Sequence, residues 1–278
     1  MSTVNSGLHI VSTPIGNLED ITLRALNVLK NSDIILCEDT RRSLKLLNYF
    51  KIKGKLISYH KFNEKKELKK IIEYLKQGKT LSLVSDAGTP ALSDPGRILI
   101  QKCIEEGISI TPIPGASSIT AAISVSGFED KFLFYGFLPK TEKELEKISL
   151  NLQILDFTLI FFIPGIKINF YITNFKKFFP NRNILIAKEL TKIHESFFRN
   201  SIEKIELFKQ PLKGELTIVI SKKNNKDMIN DSEIKKQAMI YLKKYSLKDV
   251  VDLICTKEKL SKKKVYEICL QIKNEKNS

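Results

Sequence analysis

The stretch LSLVSDAGTPALSDPG, residues 81–96, decides the fold. Residues 81–84 are a short, mostly apolar run of strand length, and residues 85–96 are a polar loop rich in Gly and Pro. Asp94-Pro95-Gly96 then opens a helix that reaches Glu106 and stops at Gly107. So apolar a strand is buried on both faces, as in a parallel sheet covered by helices. In such sheets, ligands bind beyond the carboxyl ends of the strands, where this loop falls.

The same alternation continues on both sides. Upstream, residues 8–12 form a strand that runs into the turn Thr13-Pro14-Ile15-Gly16-Asn17. Asp20 and Thr22 are caps for a helix whose Leu23, Leu26 and Leu29 recur at helical period. Residues 34–37 are a buried strand, a helix follows near 43–50, and 56–59 is the next strand. Asn63 caps an amphipathic helix that Gly78 stops. Downstream, 108–113 is a strand and 116–125 a helix. The expectation for residues 1–130 is an α/β domain with a parallel sheet. Residues 131–222 form a second α/β domain, with strands at 131–138, 157–163, 184–187 and 215–220, a helix at 166–178 and a mixed segment at 195–208. The polar run 222–231 is a linker. Beyond it, residues 223–278 are a basic helical module with helices near 233–245, 247–255 and 261–272. No internal repeat is visible.

Composition excludes several classes. The 278 residues are 42% hydrophobic and 28% charged, which is ordinary for a globular protein and argues against disorder or a disulfide framework. Cys37, Cys103, Cys255 and Cys269 are widely spaced without a CxxC, so no metal site is expected and reduced thiols fit a cytoplasmic protein. The first residues lack a basic start and an apolar core, and no stretch approaches the length of a membrane span, so neither secretion nor a membrane is expected. The net charge of +15 favours a nucleic-acid partner. A coding sequence rich in A and T has the same effect: Arg24, Arg41, Arg42, Arg97, Arg182 and Arg199 are the only arginines among 46 basic residues.

Four loops fall at carboxyl ends of strands: 13–17, 38–42, 85–96 and 112–118. Neither GxGxxG nor GxxxxGK[ST] is present, which disfavours dinucleotides and nucleoside triphosphates. Gly88, Gly96, Gly115, Ala87 and Ala116 permit close approach of backbone to a ligand. Ser117 and Ser118 stand at a helix start suited to a carboxylate, and Asp86 can accept hydrogen bonds from hydroxyl or ammonium groups. A ligand with an adenosine, an amino-acid end and no phosphate fits this inventory, and S-adenosyl-L-methionine is such a ligand. The competing reading is that the glycines only shape turns.

TPIGNLEDIT (13–22), EDTR (38–41), VSDAGTPALSDPG (84–96), PGASS (114–118) and GFLP (136–139), with KELTK (188–192) and KGELTIVI (213–220), resemble one family. It is the bacterial small-subunit ribosomal RNA cytidine 2′-O-methyltransferases, within the tetrapyrrole methylase superfamily. The resemblance spans almost the whole chain. It implies two α/β domains with S-adenosylmethionine in the cleft between them, a homodimer, and methylation of a cytidine ribose in 16S rRNA of the small ribosomal subunit. Pro14, Gly16, Asp86, Ala87, Gly88, Thr89, Pro90, Gly115, Ala116, Ser117 and Ser118 are then the residues expected to line the cofactor cleft. Where the family usually reads F-Y-E-S-P-H-R, this chain has Phe161-Phe162-Ile163-Pro164-Gly165-Ile166-Lys167. Lys188 stands where an Arg is usual, which weakens a bidentate phosphate contact.

A ribose hydroxyl titrates far above neutral pH, so methyl transfer to it gains from a nearby base or a cation. Glu38 and Asp39 are the catalytic candidates, beside Arg41 and Arg42, which would hold phosphate; a structural salt bridge among them is the alternative. Lys188 and Lys192 are further RNA contacts, and Glu189 and Lys192 are weaker catalytic candidates. Tyr59, Phe62, Phe134, Tyr135 and Phe137 can stack a base or fill the core. Two other functions compete with the leading one: methylation of a small tetrapyrrole, and a ribosome-assembly factor that binds rRNA without catalysis.

Overall fold

Apolar residues that alternate between two faces of a strand need helices on both sides. The first sheet has that arrangement. Its strands are β1 (Gly7–Val11), β2 (Ile34–Cys37), β3 (Lys55–Ser58), β4 (Thr80–Val84) and β5 (Ile110–Ile113). They are all parallel, in the order β3-β2-β4-β1-β5. The connecting helices are α1 (Leu23–Lys30), α2 (Thr40–Tyr49), α3 (Glu64–Lys76) and α4 (Arg97–Glu105). Leu8, Leu36 and Leu83 pack on Ile71 and Leu75 of α3 and Leu99 of α4. Their neighbours Val11, Ile35 and Val84 face the other way, onto Ala25 and Val28 of α1 and Leu47 of α2. This α/β architecture is the expected one. The computed structural model describes residues 4–223, 231–258 and 262–275, which fall into two units, Met1–Lys222 and Lys223–Ser278.

The strand order places the site. From β1 the chain crosses β4 to reach β2, whereas from β4 it crosses β1 in the opposite direction to reach β5. The loops after β1 and β4 therefore diverge from adjacent strands, and that divergence opens a crevice. A reciprocal pair of hydrogen bonds ties the two loops: Thr13 N–H donates to the Gly88 carbonyl at 2.9 Å and Gly88 N–H to the Thr13 carbonyl at 3.0 Å.

Local differences from the sequence reading have identifiable causes. Helix α2 starts at Thr40 rather than near 43, because the Asp39 carboxylate caps it by accepting the Arg41 N–H at 2.9 Å. Thr22 alone caps α1, accepting from Ala25 N–H; Asp20 ends a short 3-10 turn, Leu18–Asp20. Leu23 is exposed, and α1 buries Ala25, Val28 and Leu29 instead. Asn63 precedes α3, but its side-chain oxygen accepts from His60 N–H rather than from the helix.

The second sheet is mixed. Its strands are β6 (Phe132–Phe137), β7 (Thr158–Pro164), β8 (Asn183–Lys188), β9 (Ser196–Ser201) and β10 (Glu215–Ile220), in the order β6-β7-β10-β8-β9. Only β6 and β7 run parallel. One face packs on α6 (Glu142–Leu152) and α7 (Ile168–Phe178) through Leu145, Tyr171 and Phe175. The other receives α5 (Ser118–Ser124), whose Ile119 and Ala122 meet Ile160, Leu185 and Val219, so this helix joins the two sheets. Helix α6 went unread in the sequence. Its signal was Thr141 followed three residues later by Glu144, and the two side chains are 2.7 Å apart.

A buried arginine staples the far end of this sheet. The Arg182 guanidinium, 0% exposed, donates to the carbonyls of Gln153, Leu155, Phe157 and Ser221 and lies over the Phe179 ring. The second unit is three helices, α8 (Asp231–Tyr241), α9 (Leu247–Glu258) and α10 (Lys262–Glu275), around Ile234, Val250, Ile254, Val265 and Cys269. Residues 224–230, within the expected linker, lie outside the described residues. No helix among the described residues is long and apolar enough to cross a membrane.

Candidate functional site

A cavity of about 490 Å³ opens at the divergence of the loops after β1 and β4, within the range of small-molecule sites. The first sheet contributes Ile15, Arg42, Ala87, Gly88, Thr89 and the Leu92–Asp94 segment, with Ser117, Ser118 and Ile119 at the start of α5. The second sheet closes it with Phe137 of β6, Phe162 of β7 and Ala187 of β8. Glu189, Leu190 and Lys192 follow from the loop after β8, Gly214 from just before β10, and Glu215, Leu216 and Thr217 from β10 itself.

The loops are held rigidly. Ser12 and Thr89 hydroxyls lie 2.9 Å apart, and the Ser85 hydroxyl donates to the carbonyls of Ala87 and Gly88. Gly88 has φ +78°, and a Cβ at Gly115 would stand 2.9 Å from the Ser12 Cβ. Across the cleft, the loop after β1 rests on the loop after β8. Asn17 N–H donates to Thr191 Oγ1 at 3.0 Å, and a Cβ at Gly16 would lie 2.7 Å from the Leu190 carbonyl and 2.5 Å from Lys192 Cγ. Glu189 and Thr191 both adopt positive φ, a strained conformation for such residues, and Glu195 accepts the Thr191 N–H at 2.7 Å.

The acids behind these loops divide by environment. Asp39 forms a two-pronged pair with Arg41, at 3.1 and 2.8 Å, and caps α2, which holds its carboxyl down at about 2. Asp86 accepts from Asp39 N–H at 3.1 Å and pairs with Arg42 at 3.3 Å. Glu38 is raised by burial and by the negative charge of Asp86, partly offset by His60 and Arg42. Asp94 is pushed up to about 6, first by burial and then by Glu38.

Of the residues anticipated from sequence, Ala87, Gly88, Thr89, Ser117, Ser118, Arg42 and Lys192 line the cavity. Gly16 supports its wall from outside, and Gly115 packs on Ser12. Pro14 and Pro90 are buried within the same loops, and Ala116 adjoins Ser117. Asp86, Glu38, Asp39 and Arg41 are not lining residues; Asp86, Asp39 and Arg41 belong to the hydrogen-bonded set just described. Lys188 ends β8, and Lys192 pairs with Glu189 at 3.0 Å. Tyr59 is buried in the core, Phe137 lines the cavity and Phe62 is 94% exposed. The unusual segment 163–167 lies outside the lining; Gly165 packs on the Leu212 carbonyl, where no side chain has room.

Sequence reasoning passed over Asp94, Leu92, Phe162, Ala187 and the Gly214–Thr217 edge. Asp94 was read only as a helix opener. Leu92 and Gly214–Thr217 fall inside stretches that carry the family resemblance but have no side-chain chemistry that singles them out, and Phe162 and Ala187 belong to ordinary apolar strands.

The chemistry of the lining suits a cationic nucleoside. Phe137, Phe162, Ala187 and Leu190 offer apolar contact to a ring, Thr89, Ser117 and Ser118 offer hydroxyls, and Glu189 and Glu215 offer negative charge for a sulfonium and an ammonium.

This fold and cleft are those of one class of protein. The sequence pattern of the tetrapyrrole (corrin/porphyrin) methylases matches residues 7–206, and the chain belongs to that family. Within it, the chain is 42% identical over 273 residues to the ribosomal RNA small subunit methyltransferase I of Rickettsia prowazekii, covering 95% of this chain and 96% of that one. The protein of the same name from Thermotoga maritima is 44% identical over 78% of this chain and 98% of its own. Among solved structures, a uroporphyrin-III C-methyltransferase from Thermus thermophilus complexed with S-adenosylhomocysteine shares the fold, with a TM-score of 0.52 and 15% identity over 78% of this chain and 97% of that one.

Proposed function

We propose that this chain transfers the methyl group of S-adenosylmethionine to the 2′-hydroxyl of a cytidine in the 16S rRNA of the small ribosomal subunit. The observation that carries the reading is identity of 42% through nearly the full length to a small-subunit rRNA methyltransferase. The cavity supports the cofactor: its apolar wall, its hydroxyls and its carboxylates suit a sulfonium nucleoside. Ala87, Gly88, Thr89, Ser117 and Ser118 would hold it, with Gly16 and Gly115 keeping the loops close. Bound there, S-adenosylmethionine supplies an activated methyl group, and the protein's task is alignment and removal of a proton.

Arg42 lines the cleft and Arg41 precedes it on α2; their side chains are 68% and 87% exposed, as phosphate contacts require. In this reading residues 1–130 and 131–222 are the two lobes around the cofactor, and the basic helices of 223–278 add affinity for RNA backbone. The protein works in the cytoplasm as a homodimer; light scattering tests the dimer. The departure at 163–167 leaves the lining itself unchanged, although Gly165 N–H donates to the carbonyl of Gly214, a lining residue, at 2.8 Å. Labelled S-adenosylmethionine offered to small subunits lacking the modification, with the nucleotide mapped, tests the whole reading. Label on a cytidine ribose is the expected result; label elsewhere, or none, refutes it.

A further inference from the structure

The loop that decides the fold also presents a carboxylate to the cavity. Four acids stand at the carboxyl edge of the first sheet: Glu38, Asp39, Asp86 and Asp94. Asp39 is engaged by Arg41 and by the first turn of α2. Asp86 is engaged by the Asp39 backbone and by Arg42. Glu38 is not a lining residue. Asp94 alone of the four lines the cavity. From the second sheet, Glu189 and Glu215 also line it, but Glu189 is paired with Lys192 and Glu215 is exposed at the start of β10.

The backbone around Asp94 is built to hold it there. Ala91 and Ser93 both adopt positive φ, at 65° and 68°, and Gly96 follows at 133°. Two non-glycine residues in that conformation within three positions are strained, and strain persists where surrounding structure enforces it. Here the enforcement comes from both sheets. A Cβ at Gly96 would stand 2.7 Å from a Leu83 methyl of β4, and one at Gly136 of β6 would stand 3.2 Å from Ser93 Oγ. The loop is thus clamped between the lobes.

Resting on the function proposed above, we propose that Asp94 is a catalytic residue, whose carboxylate takes the proton from the ribose hydroxyl as that oxygen accepts the methyl group. The new bond joins the hydroxyl oxygen to the methyl carbon, and the bond between that carbon and the sulfonium sulfur breaks. The sulfur leaves with the electron pair as a neutral thioether, and the proton passes to Asp94 and then to water. Against a lowering influence of Ser85, the charged groups acting on Asp94 are Glu38 just after β2, Asp86 just after β4 and Glu215 of β10, all negative. With burial they hold the carboxyl at about 6, so it is a stronger base than a surface aspartate yet ionised at neutral pH.

The test uses the full chain, labelled S-adenosylmethionine and small subunits lacking the modification. Asp94→Asn should lower the transfer rate at least about 100-fold. Its calorimetric affinity for S-adenosylmethionine should stay within about threefold of wild type, with a normal melting curve. Asp94→Glu, which keeps the carboxylate, should recover part of the rate. The wild-type rate should rise with pH through an apparent value near 6, and Asp94→Asn should lack that limb. A variant as active as wild type, or one that loses cofactor binding together with activity, overturns the catalytic role. A wild-type rate flat between about pH 5 and 8 does so without any variant. Wild-type protein that binds cofactor but never labels the subunit refutes the underlying function instead, and the role of Asp94 falls with it.

Discussion

The two sheets meet the same cavity with different equipment. The first is parallel, and its contribution lies almost wholly in turns beyond strand ends: residues 15, 87–89, 92–94 and the start of α5. The second is mainly antiparallel and contributes the strands themselves, Phe137, Phe162, Ala187 and Leu216–Thr217, as a wall. Turns can place backbone groups and single polar side chains close to a ligand, whereas a strand edge presents apolar area. Division of labour follows: the first sheet supplies backbone groups and hydroxyls, and the second supplies the apolar wall, with Glu189, Lys192 and Glu215 at its edges.

Breaking the wall should cost most in stability. Arg182→Met leaves four carbonyls, one buried and three partly so, without their donor at the end of the second sheet. We expect a loss of about 3–5 kcal/mol in urea unfolding, with cofactor affinity of the folded protein preserved. A loss below about 1 kcal/mol would mean that water replaces the guanidinium easily.

Separating the sheets should cost affinity instead. Gly16→Ala pushes a methyl group against the Leu190 carbonyl and so moves the loop after β1 off the loop after β8. Binding of S-adenosylmethionine should weaken about tenfold, close to 1.4 kcal/mol, with little change in melting temperature. Unaltered affinity in calorimetry would remove that loop contact from the cofactor site.

The polar side of the cavity should show a stability deficit. Asp94 titrates at about 6 when folded, above its ordinary 3.8. The folded protein therefore holds this proton more tightly than the unfolded chain does. The resulting stabilisation is fully present below pH 3.8 and is lost as pH rises through 6. Asp94→Asn should consequently be the more stable protein at pH 7.5, by about 1 kcal/mol after allowing for solvent screening in an open cleft. Equal melting temperatures for the two proteins across that range would contradict this. The smallest stability effect belongs to Phe62, which is 94% exposed in the loop after β3. Phe62→Ala should leave unfolding within about 0.5 kcal/mol of wild type while weakening binding to small subunits about fivefold or more; unchanged subunit affinity would exclude the ring from RNA contact.

The same contrast explains what the sequence disclosed. Residues of a turn are contiguous, so SDAGTPALSDPG and PGASS carry their function in consecutive letters. A wall is assembled from single residues of strands far apart in the chain. Phe162 looks like its neighbour Phe161, which is buried on the opposite face against Phe175. Alternation predicts that two neighbours point apart but not which one meets a cavity. The acids posed a similar problem. Glu38 and Asp39 stand beside arginines in the sequence, but capping of α2 decides what Asp39 can do. Asp94 was concealed by a plausible local duty, opening a helix, although Gly96 is the residue at the helix cap. Helix α6 was missed because its apolar positions are few among Lys and Glu.

The staple at Arg182 bears on how such a chain can drift. Only six of its 46 basic residues are arginine, and the arginine codons AGA and AGG are a single base change from lysine. Four of the six make contacts that depend on the guanidinium: Arg182 on four carbonyls, Arg41 in a fork on Asp39, Arg42 on Asp86, and Arg199 on the Val125 carbonyl while lying over Phe197. At Arg182 a lysine would bring one nitrogen to a place where two are used, and burial would strip its charge. Mutational pressure toward lysine is free to act across the surface of this protein but meets a chemical boundary at that position. In a genome under such pressure, the arginines that survive mark where substitution stops being neutral.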